Sequence, residues 1–307
     1  MEYVRSTSSC HIAMTLGRAY AHGVPLSAHR PTSERLGNLL SISAEFLRPG
    51  CLEVPRWRMA MAYAAIRIAR ARGGEGPVRK DVIGYSVEAA DVATLMYLFR
   101  EVFVAQEYAF ETAATRPRII DAGANVGMAT LYFKMICPGA VIDAYEPSPA
   151  SFRILERNVA SNALVDVRLH EAALAPEAGR IALFTERGEA ASLRASTRPE
   201  RGGAERTEVE AVTLSSQISE PVDLLKMDVE GLETEILNEV AGSGKMDLIR
   251  EMMVEYHHNI GGDDGLSQFL ALLESQGFGY RLRAAPHVLR SPVQSQDVFV
   301  WAYRASG

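Results

Sequence analysis

A turn containing two glycines follows an apolar strand signal, and an acid stands before it. The segment RIIDAGANVG places Asp121 at the strand end and Gly123, Asn125 and Gly127 in the turn toward the next helix. In a doubly wound sheet, this turn holds nucleotide-like ligands. Asn125 stands where a dinucleotide fingerprint has the glycine that admits a pyrophosphate, and the Asp121 carboxylate would repel phosphate. The pattern favours a cationic ligand without phosphate.

A second acid extends this predicted site. The next strand ends in AYEPSP, which places Glu146 about where an acid that chelates both ribose hydroxyls stands. S-adenosylmethionine has an α-amino group, a sulfonium centre and no phosphate, so it fits this set of residues. We therefore predict that these five residues bind S-adenosylmethionine. The structural alternative is that Asp121 caps a strand end and the glycines serve packing only.

The segment KMDVEG, at the end of a later strand, offers groups for methyl transfer. A hydroxyl acceptor needs a group that draws its proton away. Lys226 and Asp228, two apart on a strand, project to the same side, and Glu230 is expected to begin the next helix. Asp228 is our first choice for general base or acceptor contact, with a helix cap as the alternative. Lys226 would keep Asp228 ionised, orient the substrate, or form a salt bridge only.

The following strand ends in VEYHHN and brings more candidates to the same edge. His257 is predicted to accept the proton with a pKa near neutrality, and Glu255, on the same side of the strand, is predicted to hold its tautomer. Asp228, Glu255 and a histidine would also suit a divalent ion. No spacing requires one, and we predict no metal.

The third strand indicates where the adenine ring would bind. LHEAAL ends this strand and makes Glu171 and Ala172 the predicted adenine contacts. An exposed strand-end acid is an equal alternative for Glu171.

The elements that must position these residues alternate between strands and helices. Strands separated by single helices predict an α/β, doubly wound and mostly parallel sheet over residues 86–307. Two further strands, RIALFT and TEVEAVTL, predict a hairpin. Residues 186–206 carry five arginines and four glutamates with almost no apolar residue, which predicts a mobile loop and a candidate lid.

The N-terminal part, residues 1–85, is predicted to be a helical extension or cap. Trp57, Met61, Ala65 and Ile68 recur at helical spacing among arginines, and glycines follow. This pattern predicts an amphipathic packing helix with an arginine-rich solvated face. A second helical stretch begins near residue 87 and must end before Pro117.

Several of these motifs together resemble the FkbM-type S-adenosylmethionine-dependent methyltransferases. The resemblance rests on DAGANVG, AYEPSP, the asparagines of ERNVASN, EAAL, Ser192 with Leu193, VTL and above all DLLKMDVEGLETEIL, between Tyr108 and His257. It implies the class I methyltransferase sheet with an antiparallel last strand, and usually O-methylation of sugars or of polyketide and related natural products. It also implies that Ser192 closes over the cofactor. The family does not imply a metal.

Composition excludes several classes of protein. The formal net charge of -6 over 307 residues provides no field that attracts nucleic acid, so a small-molecule hydroxylated acceptor is the expected partner. Three widely spaced cysteines fit neither a disulfide framework nor a CxxC metal site, and we expect a cytoplasmic protein without a signal peptide or membrane span. The formation of a homo-oligomer remains open.

The leading hypothesis is an S-adenosylmethionine-dependent O-methyltransferase of natural product biosynthesis. N-methylation or carboxyl methylation of a small metabolite is an alternative, because alignment of the acceptor matters more than its identity. An NAD-dependent oxidoreductase conflicts with Asp121 and Asn125. A non-catalytic adenosylmethionine-binding scaffold is a further alternative, against which the intact KMDVEG and VEYHH segments argue.

Overall fold

The computed structural model describes residues 52, 54–73, 76–186, 195–260, 265–284 and 296–304. In chain order, the elements are α1 (Arg56–Ala71), β1 (Val78–Val82), β2 (Tyr85–Ala89), α2 (Val92–Leu98), a π-helix (Phe99–Val104), β3 (Arg118–Ala122), α3 (Met128–Ile136), β4 (Val141–Tyr145), α4 (Pro149–Ser161), β5 (Val167–His170), β6 (Ala173–Leu174), β7 (Gly179–Thr185), α5 (Pro199–Gly202), β8 (Glu205–Val212), α6 (Leu214–Gln217), β9 (Val222–Met227), α7 (Glu233–Gly242), a 3₁₀ turn (Met246–Leu248), β10 (Ile249–His258), α8 (Leu266–Ser275), β11 (Phe278–Ala284) and β12 (Gln296–Arg304).

The main sheet has seven strands in the order β11-β12-β10-β9-β3-β4-β5. The pairings of β3 with β4 and β9, of β4 with β5 and of β9 with β10 are parallel, whereas β12 runs antiparallel to β10 and β11. The predicted α/β, doubly wound sheet with an antiparallel last strand is therefore confirmed. Because the central strands are parallel, β3, β4, β9 and β10 all end at the same edge of the sheet.

Two apolar layers cover the sheet, and alternate residues of each central strand enter opposite layers. Ile119 and Leu224 face α3, α4 and the N-terminal elements, in one cluster of buried residues. Ile120 and Leu225 face α7, α8 and the second sheet, in the other cluster. Burial on both faces explains why these strands read as continuous apolar runs.

Helix α1 is confirmed, but its buried face differs from the expected one. Met59, Tyr63 and Ile66 are buried, whereas Trp57 and Met61 are 63% and 64% exposed. Tyr63 stacks on Phe99 of the π-helix with the ring centroids 6.5 Å apart. The helical period selects two apolar stripes in this segment, and only contact with the π-helix decides which one is buried.

The β1–β2 hairpin docks onto α4 through two asparagines. Asn162 Oδ1 accepts from Ser86 N at 2.8 Å and Asn162 Nδ2 donates to Ser86 O at 2.9 Å. Asn158 makes the same pair of bonds with the backbone of Glu88. Each asparagine thus satisfies the backbone of a strand edge as a neighbouring strand would. The hairpin spans the predicted boundary between residues 85 and 86.

The second sheet, β6-β8-β7, contains the predicted hairpin of β7 and β8 and lies beside the cleft described below. The expectation of a loop over residues 186–206 is wrong for its second half. Residues 187–194 lie outside the described residues, but Pro199–Gly202 form α5 and β8 begins at Glu205, so part of the second half has regular structure. Ser196 is buried and bridges Phe184, and ion pairs described below hold the arginines of this segment.

Among the described helices, none combines the length and apolar composition that a membrane span requires.

Candidate active site

The turn after β3 has positive φ angles, which glycine adopts more readily than other residues. Gly123 and Gly127 have φ of 79° and 85°, and Asn125 has φ of 50°. A Cβ on Gly123 would lie 1.8 Å from Asp228 O, and one on Gly127 would lie 2.6 Å from Leu155 Cδ1. Any side chain at either position would therefore push the turn away from the end of β9 or from α4.

Glu146 follows β4 and binds this turn through both carboxylate oxygens. Oε2 accepts from Asn125 N and Oε1 accepts from Ser148 N, both at 2.8 Å. The carboxylate is buried. Burial raises the pKa of Glu146 to about 7, although the two backbone N–H groups lower it. Glu146 therefore fixes the turn and lies at the edge of the cleft, where an acid was predicted.

Asp121 does not face a ligand in this structure. Its side chain is fully buried, with Oδ2 accepting from Thr130 Oγ1 at 2.7 Å and Oδ1 lying 3.2 Å from Lys226 Nζ. The expected contact with a cofactor amino group is replaced by this internal pair, because the β3–β9 register sets Asp121 directly beside Lys226.

Lys226 supports the same turn. Its ammonium donates to Gly123 O at 2.7 Å. Burial lowers the pKa of Lys226, but Asp121 and Asp228 outweigh it and raise the pKa above its usual value. The ammonium is therefore charged and lies between the two carboxylates, rather than beside Asp228 alone as the sequence suggested.

A cleft opens between this turn and the segment after β9. Three carboxylates line it, those of Glu146, Asp228 and Glu230, and none of the residues that line it is basic. The cleft has about 570 Å³ of empty space, counted out to its mouth. Its other lining residues are small, apolar or neutral: Gly123, Asn125, Tyr145, Pro147, Ala172, Ala173, Leu174, Leu183, Ala195, Thr197 and Val229.

Five of the eight predicted cofactor residues lie at or near the cleft. Gly123, Asn125, Glu146 and Ala172 line it, and Gly127 supports the turn from behind. Glu171 is exposed and is not part of the lining. Ser192 lies outside the described residues, whereas Thr197, which the sequence reasoning missed, reaches the lining from the same segment.

A cluster of ionisable groups surrounds His257 at the end of β10. Its Nδ1 lies 2.7 Å from Glu233 Oε1, and its Nε2 lies 3.2 Å from Glu230 Oε2 and 3.7 Å from Asp228 Oδ1. Glu233, rather than the predicted Glu255, is therefore the carboxylate that bonds Nδ1 and orients the ring. Glu233 lies in the first turn of α7 and approaches the edge of the ring from outside the strand. Glu255 lies on the same strand as His257, so the strand backbone fixes the distance between their side chains.

The charges of this cluster also change the expected role of His257. Burial lowers the pKa of His257, but Glu230 and Glu233 outweigh burial and raise it well above the usual value. The neighbouring carboxylates therefore favour the charged form of the ring, which has no lone pair to accept a proton. The prediction of a histidine base with a near-neutral pKa is not supported by this environment.

Glu230 precedes α7 and is not its first residue. The helix begins at Glu233, and Glu230 adopts φ of 58°, a left-handed conformation that few residues other than glycine accept. Arg201 Nε donates to Glu230 Oε2 at 2.5 Å, and both side chains are largely buried. This strained backbone aims the carboxylate toward the cleft and His257.

Two arginines hold the segment over the site, and the sequence analysis assigned neither. Arg201 pairs with Glu230 and contacts Asp297 at 3.2 Å. Arg198 pairs with Glu235 at 2.5 Å. Ser196 Oγ donates to Glu230 O. These contacts join residues far apart in sequence, and only the excess of arginines in the segment hinted at them.

Two further acids, Glu101 and Glu255, interact electrostatically with Asp228. Burial, followed by the charges of Asp228 and Glu101, raises the pKa of Glu255 well above its usual value. Burial and the neighbouring Glu107 and Asp228 raise the pKa of Glu101, on the π-helix, to about 8. Both shifts favour the protonated carboxyl. The π-helix was not predicted, and such helices recur at functional sites.

Comparison with known proteins agrees with this geometry. A family model described as the methyltransferase FkbM domain matches residues 121–282, more than half of the chain. The match contains the glycine turn, Glu146, the KMDVEG segment and the end of β10.

Two named relatives also align with more than half of this chain. The methyltransferase sdnD of Sordaria araneosa is 34% identical over an alignment of 214 residues that covers 59% of this chain and 81% of the relative. The 31-O-demethyl-FK506 methyltransferase FkbM of Streptomyces tacrolimicus is 28% identical over an alignment of 234 residues that covers 64% of this chain and 86% of the relative. The crystal structure of a methyltransferase FkbM from Methylobacillus flagellatus aligns with a TM-score of 0.42 and 13% identity, covering 70% of this chain and 56% of that one.

Proposed function

Because the chain belongs to the FkbM methyltransferase family, we propose that it transfers a methyl group to a hydroxyl of a sugar or polyketide-like natural product. Its cofactor is S-adenosylmethionine. One observation carries the proposal for this chain: a cleft joins Glu146 to Asp228 and is lined by carboxylates without a basic residue. The name of the Streptomyces relative, which specifies a 31-O-demethyl acceptor, supports oxygen as the methylated atom.

The residues around Glu146 fit an adenosyl group. Each of its carboxylate oxygens accepts one backbone N–H, and a carboxylate oxygen has two lone pairs. One lone pair on each oxygen is therefore available to a ribose hydroxyl. Thr197 Oγ1, buried in the lining without a hydrogen-bond partner among the described residues, offers a further polar contact. Ala172 and Leu174 provide an apolar wall for the adenine.

The charge of the lining selects against phosphate. Glu146, Asp228 and Glu230 would repel a pyrophosphate, and the nearest buried ammonium, that of Lys226, is already held by Asp121 and the backbone of Gly123. A cationic donor gains from the same carboxylates. The electrostatics of the cleft thus supports the preference for S-adenosylmethionine over a dinucleotide that the turn sequence indicated.

Asp228 is the proposed base and acceptor contact. S-adenosylmethionine supplies an electrophilic methyl group on a sulfonium, and its transfer to a hydroxyl leaves a neutral thioether and one proton to be removed. Asp228 lines the cleft, and its side chain is 26% exposed, so it can reach an acceptor. Lys226 and Asp121 are positioning residues that hold the turn beside it. Positioning alone can contribute much of the acceleration.

An amine acceptor is the second candidate. Glu255 and Glu101 interact electrostatically with Asp228 and have raised pKa values. A protonated amine beside them would be stabilised as they ionise, and it would give its proton to one of these carboxylates before its lone pair attacks the methyl group. A neutral sugar hydroxyl would instead accept hydrogen bonds from their protonated forms. An amine acceptor would thus interact with the ionised acids, and a hydroxyl acceptor with the protonated acids.

The domain division stays a proposal as well. We propose residues 86–307 as the methyltransferase domain, in the cytoplasm, and residues 1–85 as a cap that shapes the acceptor site. The contact of α1 with the π-helix that carries Glu101 supports a link between this N-terminal part and the acceptor side.

Transfer of an isotopically labelled methyl group tests the proposal. We would incubate the full chain with labelled S-adenosylmethionine and matched pairs of hydroxylated and aminated glycosides and macrolides, and locate the label by mass spectrometry. Label on oxygen supports the proposal, label on nitrogen supports the second candidate, and binding of the donor with no transfer to either class would contradict both. Glu171→Gln, an exposed change outside the lining, is the matched control and should transfer at the wild-type rate.

A further inference from the structure

We propose that Asp228, Glu230 and His257 form a site for a divalent metal ion at the acceptor end of the cleft. The binding of the metal stands on the geometry of this cluster. Its role, which is to activate the acceptor hydroxyl, rests on the proposed function. The sequence analysis expected no metal, and the trio it considered contained Glu255 in place of Glu230.

The three side chains offer ligand atoms at suitable separations. Each contributes one ligand atom, and these atoms all lie within 4.8 Å of one another. His257 Nε2 is 3.2 Å from Glu230 Oε2 and 3.7 Å from Asp228 Oδ1. Ligands about 2.1 Å from a metal lie roughly 3 to 3.4 Å apart when they subtend octahedral or tetrahedral angles. The two distances from His257 Nε2 are therefore close to those of a metal site, and side-chain adjustment would bring the three atoms to a common ion.

Two of these atoms lack hydrogen bonds. His257 Nε2, on a side chain that is 1% exposed, and Asp228 Oδ1 are buried and make no hydrogen bond to the described residues. Glu230 Oε2 is close enough to Nε2 but lies off the line on which the ring nitrogen donates. A metal ion bound to Nε2 would lie on that line, and its neighbouring ligands would lie beside the line, because cis ligands of one ion do not point at each other. The position of Glu230 Oε2 fits this arrangement. A buried polar atom in this state requires a partner.

The surroundings of His257 resemble those of metal-binding histidines. Glu233 Oε1 lies 2.7 Å from Nδ1, with both groups buried, and a carboxylate on the far nitrogen is the usual outer partner of a histidine ligand. It turns Nε2 toward Asp228 and Glu230. The same Glu233 oxygen accepts from Gly231 N at 3.0 Å, so the ring and the turn after β9 are held together.

The charges also match a divalent ion. Asp228, Glu230 and Glu233 are three carboxylates, and the guanidinium of Arg201, which bonds Glu230, balances one of them. Arg201 also contacts Asp297 at the half-exposed surface. With the imidazole neutral, as a metal ligand must be, the three carboxylates outnumber the guanidinium of Arg201, and a divalent cation would offset the excess negative charge. Glu230 Oε2 keeps a second lone pair while it accepts from Arg201, so the guanidinium does not close the site.

The ligand set indicates the class of metal. Two carboxylate oxygens and one imidazole suit a hard to borderline cation such as Mn²⁺. Three protein ligands leave coordination positions open for the acceptor hydroxyl. The bound cation would lower the pKa of that hydroxyl, and Asp228 Oδ2, the carboxylate oxygen not used for the metal, would take the proton. The oxygen then forms its bond to the methyl carbon, and the electron pair of the broken carbon–sulfur bond stays on sulfur.

Binding of Mn²⁺ to the full chain, measured by electron paramagnetic resonance after treatment with chelator, tests the site without cofactor or acceptor. We expect one tight Mn²⁺ per wild-type chain. Asp228→Asn, which changes a partly exposed group to its isostere, should weaken binding by more than about tenfold, and Glu233→Gln by about 10- to 100-fold. Asp247→Asn, an exposed acid outside the cluster, is the matched control and should bind as the wild type does. Melting curves verify that each variant is folded.

Two results would overturn the inference: the absence of bound Mn²⁺ in the folded wild type, or weak binding that is equal in all four proteins. The proposed function is tested separately by the binding of S-adenosylmethionine in the presence of chelator. Donor binding without Mn²⁺ binding rejects the metal site and leaves the methyltransferase intact. Mn²⁺ binding without donor binding rejects the proposed function and supports the site.

Discussion

Two sets of charged groups lie side by side at the carboxyl edge of the sheet, and they differ in how they are balanced. The pair of Asp121 and Lys226 is balanced in charge: both side chains are buried, and Asp121 Oδ1 lies 3.2 Å from Lys226 Nζ. Thr130 donates to the other oxygen of Asp121, and Gly123 O accepts from Lys226. The cluster of Asp228, Glu230 and His257 carries excess negative charge and opens on the cleft. The first set holds the turn in place, and the second has capacity left for ligands. A change in the first set should therefore lower stability more than turnover, and a change in the second set should lower turnover more than stability.

The largest expected effect is the loss of turnover in Asp228→Ala. Removing a group that takes a proton in the transition state costs about 10² to 10⁴ in rate. Donor affinity should fall much less, because Glu146 keeps the proposed ribose contacts and Glu146 and Glu230 still line the cleft. Single-turnover methyl transfer and donor titration measure the two quantities. Asp247→Ala, at an exposed site, is the control. Equal loss of both quantities would move Asp228 into the donor pocket.

The balanced pair should respond in stability. Lys226→Met leaves the Asp121 carboxylate buried without its counter-charge, and we expect a loss of about 3–5 kcal/mol in the free energy of unfolding, measured by urea denaturation. The double change Asp121→Asn with Lys226→Met should recover a large part of this loss. Arg180→Met, which removes an exposed ion pair with Glu208, should cost less than about 1 kcal/mol. Equal losses for the buried and the exposed pair would contradict the contrast.

The fold could be predicted from sequence wherever burial makes a local pattern. The apolar strands from Arg118 to Tyr145 and the helices between them follow from periodicity, and the paired acids Asp121 and Glu146 were found from their places at strand ends. The choice of the buried face of α1 was not local. Trp57 and Tyr63 belong to different stripes of the same helix, and packing against Phe99 selects the second.

The sequence predicted which residues belong to the site better than it predicted the contacts between them. Asp228 and His257 were identified because strands deliver their side chains to one edge. Glu233 and Arg201 were not, since a helix start and a distant segment bring them to His257 and Glu230. The pairing of Asp121 with Lys226 depended on the register of β3 against β9, which the sequence does not specify.

Glu146→Gln should weaken the binding of S-adenosylmethionine by about 10- to 100-fold, because a charged acceptor of hydrogen bonds is worth about 1.5–3 kcal/mol. Turnover at saturating donor should remain close to that of the wild type, in contrast to Asp228→Ala. Calorimetric titration of the donor measures the affinity, and Glu171→Gln is the matched acid outside the lining. A variant that binds normally but turns over slowly would reverse the roles of Glu146 and Asp228.

The pH dependence of donor binding should be the smallest of these effects. Burial raises the pKa of Glu146 to about 7, and only the ionised form accepts from two hydroxyls. Affinity should therefore fall as the pH drops below 7, approaching about tenfold per pH unit when the carboxylate is mostly protonated. Glu146→Gln should flatten this profile. A wild-type profile that is flat between pH 5 and 8 would exclude Glu146 as the titrating contact.

The same group should affect the ligand-free protein in the opposite direction. A carboxyl whose pKa is raised in the folded state binds a proton more tightly there than in the unfolded chain, so its contribution stabilises the fold below the unfolded pKa. That contribution is lost as the pH rises through about 7. Urea denaturation of wild type and Glu146→Gln across this range measures it, and the difference in stability between them should change with pH.

Calorimetric titration of the wild-type chain with S-adenosylmethionine, S-adenosylhomocysteine and NAD is the most direct test of a cleft built for a cationic adenosyl donor. One-site binding of both adenosyl ligands and no heat with NAD is the expected result. No heat with either adenosyl ligand, together with clear binding of NAD, would contradict the assignment.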